Sequence, residues 1–476
     1  MLLALLSGAL LPLAFAPFDL TPLLFLSLAL QFWLWSCSRS HNHAFWLGWW
    51  FGLGLFGVGA SWIQVSLHQF DGINLPLSLL LTLLFVAGMA LFPALQGLLF
   101  SRLRAWLPFS PLGLLPLLWL LFEGLRSHLF GGFPWLLLGH TAPDAFYAGL
   151  APWLGTLGLS LYLAILSLLL MLWIVTPAWR TLFPVLLLIG VGWGSGTQEW
   201  GSPAGPAMDV TLVQGNIPQV EKWKPENLQS TLTRYRSLSE QSDARLLIWP
   251  ETAIPAFRLQ LEDSFLRAME QSLQAKGQTL LTGIPLVEWG PRRYYNGLLL
   301  LGEEQGHYHK RHLVPLGEYL PFAEWITPLL EWLHIPFSSF TPGAQEQPPL
   351  TIAGQRVGPT ICYEIAYPSL AFSNLPEATM LVTISNDAWF GASLAPAQHL
   401  QIARMRALES GRPLLRATNT GITALVDHRG QIVQQLPDNW SGILNVSVVP
   451  REGLTPYIRW YTKLFLPSVK KVNEEN

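Results

Sequence analysis

Long runs of apolar residues fill the first 195 positions of the chain, and polar residues interrupt them only briefly. A helix needs about 20 apolar residues to cross the hydrocarbon core of a bilayer. The pattern therefore predicts a transmembrane helical domain at residues 1–195 with about seven spans. The predicted spans cover residues 2–16, 20–36, 44–66, 75–100, 107–125, 153–176 and 180–195.

The pattern changes after residues 196–207, a stretch rich in Gly, Pro and Ser that we interpret as a linker. Beyond it, short β-rich runs alternate with helical stretches, which is typical of an α/β layered domain. Strands are predicted at 209–214, 245–249, 279–282, 297–301, 357–362 and 380–384, and helices at 226–241, 262–275 and 396–410. We expect one catalytic domain at residues 208–450 and a C-terminal tail at 451–476.

Composition and charge narrow the possible classes of protein. Charged residues make up 12% of the chain and apolar residues 51%, whereas soluble proteins carry roughly 25% charged residues. The formal net charge of −2 gives no indication of a nucleic-acid partner. Two cysteines, Cys37 and Cys362, are too few for a disulfide framework or a Cys-rich zinc site. We expect neither a metal ion nor a cofactor.

Basic residues in the first half predict the orientation of the chain, because Lys and Arg concentrate in cytoplasmic loops. Arg39, Arg102, Arg104 and Arg180 fall in alternate loops on one side, and only Arg126 falls on the other. We therefore expect a cytoplasmic N-terminus and a second domain outside the cytoplasm, in the periplasm if the cell has one. A cytoplasmic second domain would require one miscounted span.

Three residues at predicted strand ends or in loops could carry chemistry. Cys362 ends a predicted strand, at the sheet edge where α/β proteins place their sites. Glu251 follows another apolar strand, where a general base could act. Lys310 could stabilise a thiolate or an oxyanion. Taken singly, each also has an ordinary explanation: a buried thiol, an acid at a helix N-terminus, and part of a solvated basic cluster.

Taken together, the motifs WPE at 249–251, HKRHLVPLGE at 309–318 and CYE at 362–364 resemble the carbon–nitrogen hydrolase (nitrilase) superfamily. This resemblance implies an α-β-β-α sandwich with a Glu–Lys–Cys triad. Glu251 would be the base, Lys310 the oxyanion and thiolate partner, and Cys362 the nucleophile. The main-chain N–H of Tyr363 would be the second oxyanion donor.

A multi-span region joined to such a domain is similar to the apolipoprotein N-acyltransferases of bacterial inner membranes. Further segments match that family: GFPWL at 132–136, VQGNIPQ at 213–219, KW at 222–223, ISNDAWFG at 384–391, ARMRAL at 403–408 and GLTPY at 453–457. The resemblance covers residues 2–457. The family's last span, which follows GLTPY, has no apparent counterpart in the tail.

The resemblance also implies roles for other side chains. Glu318 and Glu364 would be further acids that the family needs near its site. Four aromatic residues, Trp223, Tyr363, Trp135 and Trp389, would contact substrate, although tryptophans also anchor membrane proteins at the lipid interface.

The implied reaction moves an acyl chain from a phospholipid to Cys362, giving a thioester. The acceptor would be the α-amino group of the N-terminal S-diacylglyceryl cysteine of an apolipoprotein. The partners are therefore a phospholipid, a diacylglyceryl apolipoprotein and the membrane, and we expect a monomer. The expected location is a bacterial inner membrane, with the catalytic domain on the periplasmic side.

Two other functions remain open at this point. One is a membrane-tethered amidase or nitrilase that hydrolyses C–N bonds. The other is a scaffold or transporter with an inactive domain, against which the complete triad and the absence of paired charges within the spans argue. The strongly apolar segment 320–345 favours the acyltransferase over the amidase, because such a patch marks lipid contact. A core helix would have a similar composition.

Overall fold

The computed structural model describes residues 1–69, 73–107, 111–288, 293–315, 317–320 and 339–466. Contacts within the chain divide it into two units. The first unit contains Met1–Gln69, Ile73–Gln198 and Ala392–Gln401, and the second contains the rest of the described chain.

The first unit is helical. Its helices are α1 (Leu2–Leu10), α2 (Pro22–Ser36), α3 (His41–Gly59), α4 (Trp62–Gln69), α5 (Leu75–Met89), α6 (Leu91–Trp106), α7 (Leu114–His128), α8 (Ala151–Val175) and α9 (Trp179–Gly194).

Three stretches of this unit are long and apolar enough to cross a membrane, namely Leu75–Trp106, Pro111–Gly131 and Ala148–Val175. A fourth candidate combines α3 and α4, which are bent by 54° relative to each other. Shorter apolar helices cover Leu2–Ala14, Pro22–Ser36 and Trp179–Gly194. The helices fall where the seven spans were predicted, and the number that cross the membrane stays a prediction.

One pair of charges is buried in α7, so the expectation that the spans hold no paired charges is wrong. Glu123 and Arg126 are each 4% exposed and lie one helical turn apart. Arg126 donates to the main-chain oxygens of Phe133 and Leu136, at 3.0 and 3.4 Å. Glu123 accepts from the main-chain N–H of Leu138 at 3.0 Å. The pair thus holds the segment after α7 in place through bonds to its main chain.

The second unit contains two six-stranded sheets and a short strand pair. Its strands are β1 (Ser202–Pro203), β2 (Met208–Gln214), β3 (Leu246–Ile248), β4 (Thr279–Glu288), β5 (Arg293–Gly302), β6 (Gly306–His309), β7 (Leu350–Ile352), β8 (Gln355–Ile361), β9 (Met380–Ser385), β10 (Leu414–Thr418), β11 (Ala424–Val426), β12 (Ile432–Gln435), β13 (Gly442–Val448) and β14 (Arg451–Glu452). The first sheet has the order β13-β2-β3-β4-β5-β6, and the second has the order β12-β11-β10-β9-β8-β7. The six predicted strands all occur.

Helices complete the layers of this unit. They are α10 (Gln219–Lys222), α11 (Leu228–Ser239), α12 (Arg258–Leu261), α13 (Arg267–Ala275), α14 (Pro368–Ala371), α15 (Ala395–Ser410) and α16 (Pro456–Phe465). Strand residues from both sheets share one apolar core, whereas α11 and α13 pack on the other face of the first sheet. Helix α15 connects the parallel strands β9 and β10, and a crossover helix must lie on a face of the sheet that it serves. The predicted fold class, a helical membrane region followed by an α-β-β-α sandwich, is confirmed.

The predicted linker and the C-terminal tail, which flank this unit in sequence, both contain regular secondary structure. Within the predicted linker, β1 pairs with β14, so this stretch is tied to the tail by a short antiparallel ladder. The tail then forms α16, whose Thr455 caps the helix by accepting from the main-chain N–H of Ile458. Residues 467–476 lie outside the described chain.

Candidate active site

Cys362 lies immediately after β8 and begins a 3-10 turn, Cys362–Ala366. Its φ angle of 53° is in the left-handed region, which non-glycine residues seldom adopt and which is often found at functional sites. The sharp change of direction presents the thiol at the end of the strand.

Glu364 stabilises this turn from inside the protein. Its carboxylate is fully buried and accepts from four donors. They are the N–H of Ile361 (2.8 Å), the hydroxyl of Tyr308 (2.9 Å) and the N–H groups of Arg311 (2.6 Å) and His312 (3.2 Å). One carboxylate thus links the Cys362 turn to the segment that follows Lys310. This placement favours a supporting role over contact with substrate.

Glu251 follows β3 and is 6% exposed. One carboxylate oxygen accepts from the side-chain amide of Asn296 at 2.7 Å, and the other accepts from the main-chain N–H of Asn386 at 2.9 Å. The turn that carries Glu251 packs closely on Gly283 of β4, where a Cβ would lie 2.7 Å from the Cα of Glu251. Glycine at 283 is therefore required for this approach.

Lys310 follows β6 and bridges two carboxylates. Its side chain is fully buried, with the ammonium nitrogen 3.4 Å from Glu251 and 2.9 Å from Glu318. Asn296 donates to the same two carboxylates, at 2.7 and 2.8 Å. Glu318 is oriented in turn by the main-chain N–H of Val314 at 2.8 Å. The lysine, the amide and the two acids form one hydrogen-bonded cluster.

The charges of this cluster act on the thiol. Burial, followed by the carboxylate of Glu251, raises the pKa of Cys362, while Lys310 and the contact with Ser385 act in the opposite direction. Burial alone would lower the pKa of Lys310, but Glu318 and Glu251 more than offset this and raise it above its ordinary value. These shifts favour the neutral thiol of Cys362 and the ammonium form of Lys310. Such a thiol needs a base at the moment of attack.

A second buried pair supports the Cys362 side of the site. Asp387 and Arg416 are both fully buried and form an ion pair at 2.6 Å. The hydroxyl of Ser385, which also contacts the Cys362 sulfur, donates to Asp387 at 2.7 Å. These contacts fix the end of β9 next to the end of β8.

The aromatic residues predicted to contact substrate differ in their surroundings. Trp223 and Trp389, which belong to the same unit as the triad, are 49% and 38% exposed. Trp135 belongs to the first unit, is 1% exposed, and donates from its indole N–H to Gln398 at 2.6 Å. The ring of Tyr363 lies near those of His312 and Tyr367, with centroids 6.0 and 5.3 Å away. The substrate contacts of all these residues stay predictions.

Two further expectations, lipid contact by the segment 320–345 and the absence of a metal ion, stay predictions. Within the apolar segment 320–345, residues 321–338 lie outside the described chain, so its lipid contact stays a prediction. Among the described residues, no group of three or more His, Cys, Asp or Glu side chains could hold a metal ion.

Several site residues were not identified from the sequence. Asn296 stands in β5 and resembles no catalytic motif by itself. Asn386 and Lys222 lie in the segments ISNDAWFG and KW, which were noted only for their resemblance to the family and were given no role. The only available signal for Asn296 was a lone amide just before a run of buried leucines.

Comparison with known proteins identifies the two regions. Residues 7–169 match the model of the apolipoprotein N-acyltransferase N-terminal domain, and residues 209–457 match that of carbon-nitrogen hydrolases. Among solved structures, a CN-hydrolase superfamily protein from Xanthomonas campestris covers 56% of this chain and 97% of its own, with a TM-score of 0.38 and 16% identity. An amidase from Nesterenkonia sp. covers 54% of this chain and 93% of its own, with a TM-score of 0.35 and 20% identity.

Full-length relatives extend the match to nearly the whole chain. The apolipoprotein N-acyltransferase of Azotobacter vinelandii is 43% identical over 96% of this chain and 91% of its own length. That of Coxiella burnetii is 42% identical over 96% of both chains. That of Pseudomonas aeruginosa is 42% identical over 96% of this chain and 92% of its own. The chain therefore belongs to the apolipoprotein N-acyltransferase family of membrane acyltransferases.

Proposed function

We propose that this chain transfers an acyl group from a membrane phospholipid to the α-amino group of the N-terminal S-diacylglyceryl cysteine of apolipoproteins. A thioester on Cys362 would be the intermediate. The observation that carries this proposal is the buried cluster in which Lys310 bridges Glu251 and Glu318 beside a neutral thiol. The names of the relatives supply the class of acceptor.

In the first half-reaction, the thiol of Cys362 attacks an ester carbonyl of the phospholipid. Glu251 takes the thiol proton as the C–S bond forms, which compensates for the unfavourable ionisation of a buried thiol. Lys310 and the main-chain N–H of Tyr363 stabilise the oxyanion. When the C–O bond breaks, the proton passes from Glu251 to the leaving alkoxide. The products are a lysophospholipid and the thioester.

In the second half-reaction, the α-amine of the acceptor attacks the thioester carbonyl. Glu251 accepts a proton from the attacking nitrogen, and the same oxyanion donors act again. The C–S bond then breaks, the sulfur recovers a proton, and the new amide leaves. One site serves both steps because both pass through a tetrahedral oxyanion at the same carbon.

We also propose that the catalytic domain lies on the periplasmic side of a bacterial inner membrane. The basic residues supporting this are Arg39, Arg102, Arg104 and Arg180, all on one predicted side. The single basic residue against it, Arg126, is buried and bound to main-chain oxygens, so it does not act as a loop charge. The burial of Arg126 in α7 is thus compatible with this orientation.

The function is tested by supplying the purified protein in detergent with a phospholipid and a synthetic peptide that begins with S-diacylglyceryl cysteine. We expect an N-acylated peptide and lysophospholipid in equal amounts. Cys362→Ala should form neither product, whereas Cys37→Ala, the matched control at the other cysteine, should behave as wild type.

The products distinguish this function from the alternatives. Free fatty acid released at the same rate with and without peptide would indicate a hydrolase. Cleavage of a simple amide without peptide acylation would favour the amidase. Peptide acylation by Cys362→Ala would contradict covalent catalysis by this cysteine.

A further inference from the structure

A second lysine is buried beside the proposed base, and the mechanism above does not use it. Lys222 ends α10, one residue before Trp223, and is 1% exposed. Its ammonium group donates to the main-chain oxygen of Glu251 at 3.1 Å and to the hydroxyl of Thr252 at 2.6 Å. Burying an ammonium group is unfavourable unless hydrogen bonds compensate for the lost hydration, so the two bonds of Lys222 need an explanation.

The conformation of Thr252 suggests what that use is. Its φ angle is 46°, in the left-handed region, which is strongly disfavoured for a β-branched residue. Such a conformation persists only where the surroundings hold it. On one side Gly283 allows close approach, since a Cβ there would lie 2.4 Å from the Thr252 nitrogen. On the other side Lys222 binds both residues of the turn.

We propose that Lys222 is a positioning residue that fixes the Glu251–Thr252 turn, so that the carboxylate of Glu251 faces Lys310 and the nucleophile. This inference rests on the proposed function, because it concerns the same base. It adds a role that neither the triad nor the two supporting acids supply.

A second contact ties α10 to the same base. Gln219, at the start of α10, accepts from the side-chain amide of Asn386 at 2.7 Å. The main-chain N–H of Asn386 donates to Glu251 at 2.9 Å. The four-residue helix therefore reaches Glu251 by two routes, through Lys222 and through Asn386.

The environment of Lys222 predicts how the acylation rate should depend on pH. Burial lowers the pKa of Lys222 to about 7, while the charge of Glu251 acts in the opposite direction. Lys310 approaches the same Glu251 carboxylate from its own strand end. Lys222 is therefore an ammonium ion below about pH 7 and a neutral, weaker donor above it. Loss of the ammonium form should loosen the turn, so acylation should slow as pH rises through this value.

The test compares Lys222→Met with Lys224→Met in the full-length protein. Lys224 is the matched control, because it forms only an exposed ion pair with Glu221. The measurement is the rate at which Cys362 gains acyl mass from saturating phospholipid, followed from pH 5.5 to 9, together with the melting temperature. We expect Lys222→Met to be roughly 10- to 100-fold slower at pH 6, as for a misplaced catalytic group. Its decline near pH 7 should be absent, and Lys224→Met should match wild type.

A second variant keeps the inference testable if Lys222→Met does not fold. Thr252→Val removes the hydroxyl contact but keeps the side-chain shape, and should give a smaller loss of rate. Combining it with Lys222→Met should add little, because both changes remove the same contact. The inference is overturned if Lys222→Met keeps the wild-type rate and pH profile. It is also overturned if Lys222→Met unfolds while Thr252→Val keeps both. Absence of any adduct in the wild type would instead overturn the proposed function itself.

Discussion

Replacing Lys310 by arginine tests whether this residue supplies a positioned donor or only a positive charge. The side chain is fully buried, and its nitrogen lies 2.9 Å from Glu318 and 3.4 Å from Glu251. A guanidinium group is a planar fork and cannot occupy the place of a compact ammonium group that faces two carboxylates and an oxyanion. Loss of one oxyanion donor costs about 10²- to 10³-fold in rate, which corresponds to roughly 2.7–4 kcal/mol.

We therefore expect Lys310→Arg to acylate Cys362 about 10²- to 10³-fold more slowly than wild type. Lys310→Met should be at least as slow, because it removes both the proposed oxyanion donor and the cation that lies between the carboxylates of Glu251 and Glu318. The assay is intact-mass spectrometry of the protein over time at saturating phospholipid, with melting temperatures measured in parallel. Lys276→Arg, at an exposed position, is the control for the change of side chain. Wild-type rates in Lys310→Arg would refute the argument and reduce Lys310 to a general source of charge.

Three other outcomes follow from the same structure. Glu364→Gln should destabilise the protein by roughly 1.5–3 kcal/mol for each charged hydrogen bond lost, which should lower its denaturation midpoint. An unchanged midpoint would show that the carboxylate is not needed. Because the pKa of Cys362 is raised, a small haloacetamide should alkylate it slowly at pH 7 and faster above pH 9; rapid alkylation at pH 7 would mean a resting thiolate. In spheroplasts of a Cys362→Ala strain, a membrane-impermeant thiol reagent should label Ser237→Cys, an exposed position on α11, and not Cys37; the reverse pattern would invert the proposed topology.

Much of the fold could be predicted because its signals are local. The apolar runs of the first half are long enough that only helices explain them, and the observed helices begin and end close to the predicted bounds. In the second half, strands such as Met208–Gln214 and Met380–Ser385 are short runs rich in Val, Ile, Leu and Thr, residues that favour buried strands. Short strands such as Ala424–Val426 were missed because three residues carry no usable periodicity.

For the site, too, features that depend on neighbouring residues could be predicted, whereas contacts between residues far apart in sequence could not. Glu251, Lys310 and Cys362 follow strands and carry recognisable motifs, so their identity could be predicted from the sequence. What orients them could not, because Asn296 and Lys222 reach Glu251 from residues 45 and 29 positions away. Glu123 and Arg126 were not recognised as a buried pair, because Arg126 was assigned to a loop, whereas both residues lie in α7 and hold the segment that follows it.

The central claim is that Cys362 carries the acyl group between two half-reactions. Purified protein given phospholipid alone should gain the mass of one acyl chain, and neutral hydroxylamine should remove it. Addition of a peptide with a free α-amine on a diacylglyceryl cysteine should clear the adduct and acylate the peptide at matching rates. Cys37→Ala should behave as wild type, and Cys362→Ala should never gain the mass. Peptide acylation without any adduct on Cys362 would contradict the account.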